Sequence, residues 1–164
     1  MIKVTVDTDV LPADDLLQAA NGLDCDFAVV SVTEREVEGT RFTVHLNQVG
    51  QVLETGVCGE ARFGQAVYAS EQSAETLEQI LRIITNNAFP RSRSKLSEGQ
   101  SHQFRDALIL EAHIRDGRDI FVTGDARAFI RLGRREELRR AFGVRILTRS
   151  EFVAACAQNQ LAAV

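Results

Sequence analysis

The chain has 164 residues, of which 45% are hydrophobic and 26% are charged, and its net charge at pH 7 is −4. We expect one globular domain over 1–164, because this length supports a single buried core and leaves no room for a second. The excess of acid argues against a protein that holds nucleic acid by charge alone, since such proteins are usually basic. No apolar run could cross a bilayer, and residues 1–6 are too short and strand-like for a signal peptide, so we expect a cytoplasmic protein.

The first forty residues alternate between strand and helix patterns. A short apolar strand is predicted over residues 2–6, and a helix begins near Pro12. A second apolar strand over residues 27–32 is typical of a parallel strand covered on both faces. Thr33 is the predicted cap of a short helix that carries Glu34 and Glu36.

The segment 41–69 has a different pattern, with β-branched and aromatic residues between several glycines. Residues 41–46 alternate as a strand does. We interpret the segment as an antiparallel hairpin or an extended, β-rich insertion.

The second half returns to alternating strands and helices. The predicted elements are a helix capped by Ser73, a loop over 86–100, a buried helix over 104–114, a strand over 120–122, a basic helical stretch, a strand over 144–147 and a closing helix over 148–157. Strands that alternate with helices predict a mainly parallel sheet with helices on both faces, a three-layer α/β/α fold.

Four carboxylates fall at the ends of these elements. Asp7 and Asp125 each follow an apolar strand, and Glu36 lies in the first turn after the second strand. Asp106 falls in the first turn of the predicted buried helix, where the helix dipole favours an anion. Ligands of open α/β sheets bind beyond the carboxyl ends of the strands, so we expect these four acids to meet in one crevice.

Clustered carboxylates repel one another unless positive charge lies between them. Mg²⁺ and Mn²⁺ prefer oxygen ligands, and a pair of such ions can activate water and stabilise the leaving oxygen of a phosphodiester. We therefore expect Asp7, Glu36, Asp106 and Asp125 to act as metal ligands and catalytic residues.

Each acid also has an ordinary structural interpretation. Asp7 could cap a turn or a helix, Asp106 could cap or complement its helix, and Asp125 could be a turn residue. Glu36 could be a solvated helix charge, and Glu38 competes with it for the same role.

The order of these acids resembles that of the PIN-domain nucleases. The family's four motifs and its last strand and helix are matched by residues 6–11 (VDTDVL), 31–37 (SVTEREV), 106–109 (DALI), 122–129 (VTGDARAF) and 142–152. The resemblance covers residues 1–40 and about 100–155. It departs from the family at Asp9, where asparagine is usual, and over 41–69, where a pair of helices is usual.

This resemblance implies a PIN-like fold and a Mg²⁺- or Mn²⁺-dependent endoribonuclease acting on single-stranded or structured RNA. Homodimers are common in the family, and many members are toxins neutralised by a protein antitoxin.

Several side chains outside the four acids are candidates for supporting roles. Arg127 is the arginine nearest to Asp125 and the best candidate for a contact with RNA phosphate, although the arginines that follow could be a solvated helix face. His102 stands one helical turn before Asp106 and could pair with it. Thr123 could orient a metal-bound water or satisfy the backbone.

Two other functions fit parts of the sequence. A haloacid-dehalogenase-like phosphatase would use Asp7 as nucleophile and Asp9 as acid-base, with Ser31, Lys95 and Asp125 in later roles. The residues after Asp125 lack the second acid expected there. The other alternative is a catalytically silent module of the same fold that binds RNA or a protein.

The cysteines predict no chemistry of their own. Cys25, Cys58 and Cys156 are odd in number, widely spaced and form no CxxC pattern. We interpret them as small apolar residues rather than zinc ligands or a disulfide framework.

Overall fold

The computed structural model describes residues 1–57, 62, 64–93, 95–131 and 133–161. Its strands are β1 (Ile2–Val6), β2 (Cys25–Val30), β3 (Gly50–Val52), β4 (Glu54–Thr55), β5 (Ala66–Val67), β6 (Ile120–Val122) and β7 (Arg145–Leu147). Its α-helices are α1 (Asp14–Ala19), α2 (Ser31–Val37), α3 (Glu71–Ile84), α4 (Glu98–Arg115), α5 (Arg134–Phe142) and α6 (Arg149–Ala157).

The predicted parallel sheet is confirmed. Five strands pair in the order β3-β2-β1-β6-β7, and every pairing between them is parallel. From β1 the chain first builds outward through β2 and β3, and it later returns to add β6 and β7 on the other side. The strand order therefore reverses between β1 and β6, which is where ligands of open α/β sheets bind.

Alternate residues of the strands belong to two separate hydrophobic cores, one on each face of the sheet. Val4, Val6 and Phe27 lie on the face covered by α1 and α6. Ala28 and Phe121 lie on the opposite face, in the core to which α3 and α4 contribute most of the helical residues. This alternation follows from the two-residue period of a strand, and it places helices on both sides of the sheet.

The prediction of a strand over residues 41–46 is wrong, because Thr43–Gln48 forms a 3₁₀ helix. Thr40 and Thr43 both donate side-chain hydrogen bonds to the carbonyl oxygen of Val37, at 2.7 and 2.8 Å, and this turns the chain back on itself. Short hydroxyl side chains compete with strand pairing in this way.

The expected antiparallel hairpin is also wrong. β3 is an edge strand that runs parallel to β2, and β4 and β5 form a separate parallel pair. A buried hydroxyl supports this arrangement, since Ser31 accepts a hydrogen bond from the Glu54 backbone at 3.0 Å and donates one to the Gln65 carbonyl at 2.8 Å. Residues 58–61 and 63 of the segment lie outside the described residues.

Helix α4 starts earlier than predicted, and this changes the position of one acid within the helix. The helix begins at Glu98 rather than near 104, because Ser97 and Gln100 form a reciprocal capping box. Asp106 therefore lies inside the helix, well beyond its first turn, and the helix dipole does not favour its charge. At α3 the cap is likewise Ser70 instead of Ser73, which lies buried in the first turn.

None of the helices in the described ranges has the length and apolar character that a membrane span requires. Cys25 and Cys156 are free thiols, half-buried and buried respectively, and Cys58 lies outside the described residues.

Candidate active site

Asp7 is the first residue after β1, and only 4% of it is exposed. Its Oδ1 accepts a hydrogen bond from the Thr8 backbone at 2.8 Å, and its Oδ2 accepts one from the Thr123 hydroxyl at 2.7 Å. Asp7 thus caps the short 3₁₀ turn Thr8–Val10, as its structural interpretation predicted. It also lines the crevice described below.

Glu36, which belongs to α2, lines the same crevice as Asp7. Its Oε2 accepts a hydrogen bond from the Thr8 hydroxyl at 2.6 Å, and that hydroxyl lies 3.2 Å from the hydroxyl of Thr33. Thr33 is inside α2 and does not cap it, because the helix follows β2 directly at Ser31. The competing acid Glu38 instead forms an ion pair with Arg62 at 2.7 Å.

Asp125 follows β6 and holds the next turn in place. Its Oδ1 accepts hydrogen bonds from the backbone of Arg127 and of Ala128, both at 2.7 Å, at the start of the π-helical turn Ala126–Ile130. Its own backbone N–H donates to the Thr123 hydroxyl at 3.0 Å. Because Thr123 also donates to Asp7, one buried hydroxyl connects the two acids that follow the central strands.

Asp106 differs from the other acids. It is half-buried, and within the described ranges no group donates a hydrogen bond to its carboxylate. Burial raises the pKa of Asp106 to about 8, and the charges of Asp7, Asp125, Glu36 and Asp9 add to this effect. Its environment is therefore unfavourable to a negative charge and favourable to a proton or a cation.

Asp9 is a fifth acid of the crevice, which the four-carboxylate prediction did not include. Its Oδ1 accepts a hydrogen bond from the Gly124 backbone at 3.1 Å. A Cβ atom on Gly124 would lie 2.9 Å from Asp9 Oδ2, too close for a normal contact, so the Asp9 carboxylate would have to shift to admit a side chain here. Burial and the nearby charge of Asp125 raise the pKa of Asp9. The Thr-Gly-Asp sequence after β6 is the local signal of this close approach.

These acids line one crevice of about 400 Å³ at the carboxyl edge of the sheet. Its walls are Asp7, Thr8, Asp9, Glu36, His102, Arg105, Asp106 and Asp125. Burial raises the pKa of Asp7 to about 7, with a contribution from the charge of Asp9, while the hydrogen bonds from Thr123 and Thr8 oppose the rise. Across the described part of the chain, no three His, Cys, Asp or Glu side chains are grouped closely enough to hold a metal ion as they stand.

A larger cavity of about 1050 Å³ adjoins the crevice and shares His102, Asp106 and Asp125 with it. Arg127 and Arg131 line this cavity, and both are exposed. No ion pair involves either guanidinium among the residues that the structure describes, so both remain available to an anion.

The other arginines after Asp125 do not form one surface with them. The guanidinium of Arg134 is held by the Arg127 carbonyl and by Asn86, and Arg135 pairs with Glu151 at 2.9 Å. The predicted pair of His102 with Asp106 is not formed, although both side chains line the crevice.

Two of the residues that the phosphatase alternative requires lie away from the acids. Ser31 is fully buried and uses its hydroxyl to tie Glu54 to Gln65. Lys95 is exposed and lines neither cavity.

No family model matches the chain, and a search of the curated proteins found no match.

Proposed function

We propose that the chain is a metal-dependent endoribonuclease with a PIN-like fold, in which Asp7, Glu36, Asp106 and Asp125 hold Mg²⁺ or Mn²⁺. The observation that carries the proposal is the carboxylate of Asp106, which receives no hydrogen bond from the described residues and lies in a crevice shared with four other acids. Like charges grouped at the ends of the central strands repel one another and destabilise the fold unless a cation neutralises them.

The donor set suits a hard divalent cation. The four acids offer carboxylate oxygens only, which is the ligand chemistry of Mg²⁺ and Mn²⁺ rather than of softer metals. The ions would supply an activated water and charge stabilisation at the leaving oxygen of a phosphodiester. Each hydrogen-bonded carboxylate oxygen keeps further lone pairs for a metal ion, so the contacts of Asp7 and Asp125 do not prevent ligation.

The protein residues have distinct tasks in this proposal. Thr123 orients Asp7 through a hydrogen bond, and Thr8 does the same for Glu36. Arg127 and Arg131, on the wall of the adjoining cavity, bind the phosphates of the RNA strand and lead it across the acids. The resemblance to the PIN-domain nucleases extends the proposal to partners, namely a protein antitoxin and a second copy of the chain.

The test compares Asp106→Asn with Asp9→Asn on a single-stranded RNA and on a small phosphomonoester, with Mg²⁺ and with Mn²⁺. We expect Asp106→Asn to lose nearly all RNA cleavage, because a lost ligand misplaces the ion. Asp9→Asn keeps an oxygen for the Gly124 backbone and should cut RNA at close to the wild-type rate.

The phosphatase alternative predicts the reverse order. Asp9 would then be the acid-base of the reaction, worth about 10²–10⁴ in rate, and the phosphomonoester would be the better substrate. An Asp106→Asn protein that cuts RNA as fast as wild type would exclude the four-carboxylate site. RNA binding without turnover in the wild type would favour the catalytically silent module.

A further inference from the structure

The cavity of about 1050 Å³ beside the acids is lined by amide side chains as well as by arginines. Asn86, at the end of α3, and Gln100, in the first turn of α4, both line it. An amide can present either a donor or an acceptor, and its other contacts decide which one is left for a ligand.

Asn86 presents a donor. Its Oδ1 accepts a hydrogen bond from Nη2 of Arg134 at 3.0 Å, and the same guanidinium also donates to the Arg127 carbonyl. A guanidinium has only donors, so it fixes the oxygen of Asn86 on its own side. The exposed Nδ2 of Asn86 makes no hydrogen bond with the described residues and keeps two N–H groups for a ligand.

Gln100 presents a donor for a separate reason. Its Oε1 accepts a hydrogen bond from the Ser97 backbone N–H at 2.9 Å in the capping box of α4. A backbone N–H cannot accept, so the orientation of the Gln100 amide is also fixed. Its Nε2 has no partner within the described ranges.

We propose that this cavity binds one base of a single-stranded RNA beside the scissile phosphate and selects bases that present a carbonyl oxygen. Uracil and guanine carry an acceptor where cytosine and adenine carry an amino group, and an amino group facing the N–H groups of Asn86 and Gln100 would oppose donor to donor. Arg127 and Arg131 hold the adjoining phosphates. The inference rests on the proposed nuclease function, because the cavity opens onto the acids.

Uracil and cytosine give the sharpest comparison, since they have nearly the same shape and differ at the carbonyl or amino group. We expect the wild-type protein to bind labelled U₈ RNA about tenfold more tightly than C₈, which corresponds to about 1.4 kcal/mol. Binding is measured by fluorescence anisotropy at one fixed salt concentration, with Ca²⁺ in place of Mg²⁺ or Mn²⁺.

Two isosteric variants reverse the hydrogen-bonding character of the wall. Asn86→Asp keeps an oxygen for Arg134 and replaces the Nδ2 donors by an acceptor, and aspartate tolerates the left-handed backbone at this position, where φ is 53°. Gln100→Glu keeps the capping box and makes the same exchange. The matched control is Asn87→Asp, which adds the same charge at an exposed neighbour outside this cavity, also with positive φ, of 62°.

The expected result is that Asn86→Asp and Gln100→Glu each lower the U₈ to C₈ affinity ratio below about twofold, while Asn87→Asp keeps the wild-type ratio. Equal wild-type affinities, failure to bind either RNA, or an unchanged ratio in both isosteric variants would overturn the inference.

A parallel cleavage assay with Mn²⁺ separates this inference from the nuclease proposal. Selective binding of U₈ without cleavage of any RNA would support the base site and refute the nuclease. Cleavage of both RNAs at equal rates, with equal affinities, would refute the base site and support the nuclease.

Discussion

Removing the charge of Asp106 should stabilise the metal-free protein. The carboxylate receives no hydrogen bond from the described residues, so Asp106→Asn removes a poorly tolerated charge without breaking a contact. The substitution also leaves α4 unstrained, because asparagine has nearly the same shape as aspartate.

The size of the effect follows from the pKa. Burial and the surrounding acids raise the pKa of Asp106 from its ordinary value of 3.8 to about 8. That rise in pKa corresponds to roughly 5–6 kcal/mol once the group is fully ionised in the folded state. Part of the side chain is exposed and the acids can relax, so we expect about 2 kcal/mol, or about 4–8 °C in Tm for a chain of this size.

The sign of the pH dependence is fixed by the same shift. Between about pH 4 and pH 8 the folded wild type holds a proton on Asp106 that the unfolded chain has already released. The stabilisation from this proton is complete below about pH 4 and is lost as the pH rises through about 8. The difference in Tm between Asp106→Asn and wild type should therefore be small at pH 5 and largest at pH 9.

Thermal unfolding in EDTA, followed by circular dichroism from pH 5 to pH 9, measures this difference. Glu75→Gln is the matched control, since Glu75 is an exposed acid on α3, has no ion pair within the described ranges, and carries the same charge. The reasoning is refuted if Asp106→Asn melts at or below the wild-type temperature at pH 9. Added Mn²⁺ should raise the Tm of the wild type by mass action and should raise that of the variant much less.

Two further predictions concern the neighbours of the acids. If Arg127 binds RNA phosphate, Arg127→Ala should weaken RNA binding equally across sequences and reduce the salt dependence of the affinity by about one phosphate contact. The control Arg139→Ala, at an exposed arginine, should change neither property. An unchanged salt dependence in Arg127→Ala would show that Arg127 does not contact phosphate. Gly124→Ala should lower the free energy of unfolding by about 1–2 kcal/mol, because the new Cβ displaces Asp9. This loss of stability should be smaller when Asp9 is already replaced by alanine. Equal losses with and without Asp9 would show that contact with Asp9 is not the cause.

The parts of the site that the sequence could predict are those fixed by local pattern. An apolar strand followed at once by a polar residue places that residue at the edge of the sheet, which is why Asp7 and Asp125 lie where they were expected. The same period of two explains why Val4 and Thr5 face different sides of the sheet.

The parts that could not be predicted depend on contacts between distant segments. Nothing near Gly50 indicates that β3 will pair with the free edge of β2, because the partner is chosen by position in the folded sheet. The buried ion pair of Arg35 with Glu54 and the hydroxyl of Ser31 join segments that are far apart in sequence. Alternation in 41–46 was outweighed by the hydrogen bonds of Thr40 and Thr43 to one carbonyl.

The start of α4 was predictable in principle. Ser97 and Gln100 have the spacing of a capping box, but Gly99 between them and the serines before them favour a loop. A loop over these residues would place Asp106 in the first turn of its helix. In α4 Asp106 lies beyond that turn and gains no compensation from the helix dipole, so its charge depends on a proton or a cation.

Asp106 therefore differs from Asp7, Asp9 and Asp125 in how its carboxylate is held. Asp7 and Asp125 are held by backbone N–H groups and share Thr123, and Asp9 is held by Gly124. Asp106 comes from a helix on one side of the crevice and has no such support among the described residues. No three acids in the described ranges are close enough to hold a metal ion as they stand. If an ion binds as proposed, the acids must move towards one another, and the affinity for the ion then depends on the free-energy cost of that movement and on how far the ion stabilises the charge of Asp106.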